Sequence, residues 1–177
     1  LERAKRAGLK VSAGASIHHL TLNELDIEPY RSFFKLRPPL RAEEDRQALV
    51  QAVADGLVDV ITSAHLPQDE ELKRLPYEQA AHGAVGLETL LPAALQLVHA
   101  GLSLTPARLL GLEAGRLAPG APADLVLFDP GAPWVLDRAH LHSRSKNTPF
   151  DLRRMQGRVL RSFVGGREVF ARQEQPA

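Results

Sequence analysis

The chain has 177 residues, 44% hydrophobic and 24% charged, the balance of an ordinary globular protein rather than a disordered or fibrous one. Lys and Arg number 22 against 21 Asp and Glu, so the formal charge of +1 supplies no field to hold nucleic acid or an anionic membrane. Cysteine is absent, which excludes disulfides and thiol catalysis, and no apolar run of about 18 residues and no signal-peptide core is found, so a cytoplasmic protein is expected. A chain that opens on Leu1 rather than Met is expected to be a piece of a longer reading frame.

Residues 1–7 read as the tail of a helix stopped by Gly8, and Leu9, Val11, Ala13 and Ala15 alternate as a strand would. Residues 42–55 predict a helix: Glu43, Glu44 and Asp45 favour its positive N-terminal end, Leu49, Val50 and Val53 share a face, and Gly56 ends it. Leu57, Val58, Val60 and Ile61 then suggest a short buried parallel strand. The polar stretch 62–85 is too long for a plain connection and is expected to line a site.

Leu90, Leu91, Ala94, Leu95 and Val98 recur at helical spacing up to Gly101, with Pro92 tolerated in the first turn. Thr105-Pro106 opens another short helix by the cap-then-proline pattern, and Gly111 can close it. After Gly115 the signals turn to strands, at 125–128, 158–164 and 167–170, with Gly165-Gly166 as a two-residue hairpin loop. The expected organisation is an α/β unit over 1–115, a small β module over 116–172 and a frayed tail over 173–177.

Four stretches in order carry a likeness: Lys35-Leu36-Arg37-Pro38-Pro39-Leu40-Arg41, Asp59-Val60-Ile61-Thr62-Ser63-Ala64-His65-Leu66-Pro67, Gly83-Ala84-Val85-Gly86-Leu87-Glu88-Thr89 and Ser145-Lys146-Asn147-Thr148-Pro149-Phe150. With Ala123-Asp124-Leu125-Val126-Leu127-Phe128 and Val164-Gly165-Gly166-Arg167 behind them, they resemble dihydroorotases and the neighbouring allantoinases and hydantoinases, over nearly the whole chain. The resemblance implies the C-terminal part of a (β/α)8 TIM-type barrel, followed by a small β-sandwich module, with a site at the C-terminal ends of the barrel strands. It implies the reversible cyclisation of N-carbamoyl-L-aspartate to dihydroorotate in pyrimidine biosynthesis, driven in the family by a zinc-bound hydroxide.

By the same resemblance the zinc ligands are an early His-x-His pair, a carboxylate or modified lysine, two further histidines, and an Asp at the end of the last strand. All but that Asp would lie upstream of Leu1, and at the Asp position stands Ala64, which has no lone pair to offer a metal. No confident catalytic residue and no metal ligand therefore remains, and turnover by this chain alone is not expected. Substrate contact is assigned to His65, Arg37 and Gly83, with Arg37 standing where the family often has Asn. Leu66 and Gln68 also replace polar or histidine residues, and the 100–105 link looks short.

Other residues have plainer readings. His18-His19, on a strand, would point to opposite faces and not share an ion. Glu88 favours a helix N-terminus, Lys146-Asn147 forms a polar turn locking the β module in place, and His82, His99, His140 and His142 are solvated surface. Gly83 and Gly86 either approach a substrate anion or only shape a turn. Candidate partners are the small-molecule substrate, a second copy in a homodimer, and aspartate transcarbamoylase, which some family members scaffold without catalysis. Cut barrel strands leave open edges, so a dimer or partner is expected over a lone monomer.

Overall fold

The computed structural model describes residues 1–95 and 102–172. Helix α1, Glu2–Arg6, ends at Ala7, and Gly8 turns the chain with φ of 72°. The strand predicted from Leu9 shrinks to β1, Gly14–Ser16, because Leu9 and Val11 stand on the surface, 60% and 39% exposed, where alternation buries nothing. Helices α2, Ile17–Thr21, and α3, Glu43–Ala54, follow, then β2, Val60–Thr62. β1 and β2 pair in parallel, with Ala15 opposite Ile61.

Helix α3 matches its sequence signals at both ends, with Glu43, Glu44 and Asp45 in its first turn and Val53 buried. The strand after it starts later than predicted. The Leu57 and Val58 amides both donate to the Ala52 carbonyl, at 2.8 and 3.0 Å, and so finish the helix instead of joining a sheet. Stretch 62–85 is not wholly loop, since the Asp69 side chain accepts from Glu71 N and starts α4, Glu70–Arg74.

Helix α5, Leu90–Ala94, carries Pro92 in its first turn; its expected continuation over 96–101 lies outside the described residues, as do the first two residues of the 100–105 link. Helix α6, Leu104–Leu109, begins one residue before Thr105, and its N-cap is Ser103, which makes no side-chain cap bond. Gly111 follows with φ of 67°.

Strands β3, Leu125–Val135, β4, Arg154–Val164, and β5, Arg167–Ala171, form one antiparallel sheet in that order. β3 outruns the predicted 125–128 because the chain stays extended through Pro130 and Gly131, where the ladder slips between Asp129 and Pro133. Gly165 and Gly166, at φ of 55° and 78°, join β4 to β5 as expected. The tail at 173–177 lies outside the described residues.

One hydrophobic core runs across residue 115, gathering Ile17, Leu20 and Leu22 with Leu136, Phe150 and Met155. Two ion pairs reinforce that contact, Arg31 to Asp151 at 3.0 Å and Arg153 to Asp26. The antiparallel sheet is thereby fixed to the parallel pair whose ends form the site.

Candidate functional site

Past the C-terminal ends of β1 and β2 lies a cleft of about 390 Å³, lined among others by Ser16, His18, Arg37, Ala64, Leu66 and Gly83. Strand ends of parallel sheets offer such clefts because the loops leaving them diverge. Ala64 follows β2 with φ of 44°. This left-handed conformation costs an alanine about 1 kcal/mol and is more readily adopted by Asn or Asp. The turn keeps a backbone suited to a carboxylate residue and presents a methyl group.

His65 forms a one-residue parallel bridge with Ala84. Its Nδ1 accepts from Gly86 N at 3.1 Å and Leu87 N at 3.4 Å. Two N–H groups directed at Nδ1 need a lone pair there, so the neutral ring carries its proton on Nε2. Arg37 follows the tight turn Ser32–Phe34, and its exposed side chain lines the cleft. Among the described residues no carboxylate pairs with it.

Gly83 lines the cleft with φ of 125°, a conformation glycine alone adopts easily. Its N–H donates to Lys35 O at 2.9 Å and its carbonyl accepts from Asn147 Nδ2 at 3.1 Å, so its backbone is engaged within the protein. A Cβ on Gly86 would lie 2.1 Å from Ser63 O, which makes this glycine a close-packing residue.

His18 and His19 are not on a strand. Ser16 Oγ accepts from His18 N at 3.2 Å and caps α2, so both histidines sit in a helical turn. A Ser just before the apolar Ile17 was the signal for this cap. His19 Nε2 lies 2.9 Å from Pro38 O. His18 is 1% exposed, stacks on Phe150 at 5.8 Å, and its Nε2 has no hydrogen-bond partner among the described residues.

Glu88 is structural in a way the sequence did not show: its carboxylate accepts from His142 N at 2.9 Å and Ser143 N at 3.0 Å, not from a helix end. Lys146 Nζ donates to Leu141 O at 2.6 Å. Asn147, 2% exposed, donates to Leu66 O and Gly83 O at 3.2 and 3.1 Å and accepts from Gln68 N at 3.3 Å. The polar turn thus locks the β module onto the loop after β2. Buried Lys73 straps the same loop, donating to Ser32 O at 2.7 Å and Ala81 O at 2.8 Å. His140 pairs with Asp137 at 2.9 Å, and His99 lies outside the described residues.

Burial, helped by His19 and His65, pushes the His18 pKa down to about 4 from 6.5. The folded state then binds fewer protons than the unfolded one between those values. The stability this gives is complete above about pH 6.5 and is lost as pH falls towards about 4, a loss of about 3 kcal/mol at most. Urea unfolding at pH 7 and pH 4.5 should show the fall, and a His18→Asn variant should flatten it. Equal slopes in both proteins would contradict the assignment.

The residues present do not fit a metal ion. Among the described residues no three His, Cys, Asp or Glu side chains gather where they could hold one, and the mouth of β2 offers the Ala64 methyl.

The amidohydrolase family model matches residues 3–169. The chain is 42% identical to the dihydroorotase of Anaeromyxobacter dehalogenans over 96% of its own length and 42% of the relative's. It is 38% identical to that of Ehrlichia canis over 96% of its own length and 40% of the relative's. Its structure is similar to L-hydantoinase (dihydropyrimidinase) from Arthrobacter aurescens, with a TM-score of 0.91 and 27% identity over 99% of this chain and 42% of that one. A D-hydantoinase from Thermus sp. shares the fold, with a TM-score of 0.86 at 24% identity, over 96% of this chain and 41% of that one. The chain therefore spans about two fifths of the length of the relatives it matches.

Proposed function

Because the chain belongs to the amidohydrolase family, we propose that it is the C-terminal part of a dihydroorotase-like protein in which this portion of the site holds no metal. The observation that carries the reading is Ala64, a methyl group on a left-handed turn at the end of β2. The parallel β1–β2 pair is the remainder of a (β/α)8 barrel, over 1–115, and the β3–β4–β5 sheet is one layer of a β-sandwich, over 116–172.

Dihydroorotase chemistry closes N-carbamoyl-L-aspartate to dihydroorotate and reopens it, and zinc, the metal expected for the family, would supply the hydroxide and polarise the carbonyl. These residues give it no anchor. What remains is recognition: Arg37 can pair with a substrate carboxylate and Gly83 shapes the wall, while His65, which does not line the cleft, holds the turn at 86–87 through Nδ1. The 38–42% identities to dihydroorotases, against 27% to the L-hydantoinase, favour a dihydroorotase-type ring over a hydantoin or allantoin.

The purified chain should neither close N-carbamoyl-L-aspartate nor open dihydroorotate, with or without added zinc. Zinc-dependent turnover that a chelator abolishes would contradict the reading. The same methyl group supports a second role, as a non-catalytic scaffold for aspartate transcarbamoylase. Co-purification with an active transcarbamoylase would support that role, and the absence of any complex would remove it.

A further inference from the structure

We propose that a second cleft, between the β3–β4–β5 sheet and the start of α5, binds a phosphate monoester that carries a flat apolar body. It shares no lining residue with the cleft past the ends of β1 and β2, so the proposal stands or falls apart from the reading of that site. The space is about 580 Å³, within the range of small-molecule sites and roomier than a bare phosphate needs. Its walls include Leu91 and Pro92 from α5, Trp134 from β3, Arg158 from β4, Phe170 from β5 and Arg172 just past it.

Charge is the first argument. Burial first, and then the neighbouring Arg172 guanidinium, lower the Arg158 pKa from its ordinary value. Among the described residues no carboxylate pairs with either arginine. Arg172 Nε donates to Val159 O at 3.0 Å, which holds that side chain against β4 and leaves its two terminal nitrogens as donors. The two acids of the cleft are engaged elsewhere. Glu88 accepts from His142 N and Ser143 N at 2.9 and 3.0 Å, and Asp137 accepts from Ala139 N at 2.8 Å and lies 2.9 Å from His140 Nδ1. Two guanidiniums side by side without an acid between them call for a dianion. A phosphate monoester carries about −1.5 to −2 at pH 7, with three acceptor oxygens for two guanidinium forks.

The second argument is the aromatic plate beside that charge. Trp134 Nε1 donates to Gly157 O at 3.0 Å, which fixes the indole, and the Arg158 guanidinium stands 5.0 Å from the ring centroid. Phe170, Leu91 and Pro92 extend the plate as an apolar wall. The body of the ligand thus meets carbon while its phosphate meets the guanidiniums.

Trp134 is the only tryptophan of the chain, so its fluorescence reports this cleft directly. The whole chain, in a low-salt buffer free of phosphate, is titrated with phenyl phosphate, inorganic phosphate and phenol. Phenyl phosphate should change the emission saturably, inorganic phosphate should bind about tenfold more weakly, and phenol should not bind. Arg172→Gln, at an exposed position, and Arg158→Gln should each weaken phenyl phosphate by about tenfold, the size of one charge-assisted bond. Arg167→Gln, outside the lining, should leave it unchanged. No saturable change with phenyl phosphate, phenol or inorganic phosphate binding as tightly as the ester, full affinity in Arg172→Gln, or the same loss in Arg167→Gln would overturn the proposal.

Discussion

Gly86→Ala is expected to lower the stability of the fold by about 3 kcal/mol, the upper part of the usual range for overpacking. The new Cβ would stand 2.1 Å from Ser63 O and 3.2 Å from His18 Cε1. The first contact is with a backbone oxygen, and a Cβ has no rotamer of its own to relieve it, so the turn carrying Ala64 must move. Gly56→Ala is the control, since its added carbon meets nothing within 4 Å. Its φ of 71° should cost only about 1 kcal/mol. Urea midpoints of the two variants separate the effects, and equal losses would show that the 63–66 turn yields without resistance.

Asn147→Ala should cost a similar amount, about 3 kcal/mol, for a different reason. It leaves the Leu66 and Gly83 carbonyls and the Gln68 amide without their partner, two of these bonds being at the wall of the cleft. The damage should be local before it is global, with amide exchange across 66–85 rising well before the core exchanges. A loss below about 1 kcal/mol, with exchange unchanged there, would mean that Lys73 alone holds the loop.

Both effects turn on contacts between residues far apart in the sequence, although the Lys146-Asn147 turn was expected to lock the β module in place. Helix α3 could be read because its signals are local: acids in the first turn, an apolar face, and Gly56 at the end. The Gly165-Gly166 hairpin was readable for the same reason. Helix α2 was not, since the alternating run through Ala15 suggested that a strand would continue, and only the Ser16 cap on His18 N ends it. Ala64, His65, Arg37 and Gly83 were found through ordered motifs. The burial of His18 and the triple engagement of Asn147 depend on partners far along the chain, which no local pattern encodes. Lys73, a buried cation held by two carbonyls, gave no sequence sign at all.

The left-handed Ala64 links fold to function. The turn retains the backbone that an aspartate tolerates while lacking the group that would bind a cation. Metal content is therefore the most direct measurement: the chain is equilibrated with zinc, freed of excess by gel filtration, and assayed for bound metal by mass spectrometry. The account predicts no stoichiometric zinc in the eluted protein. One tightly held ion per chain, resistant to gel filtration and released by a chelator, would contradict it.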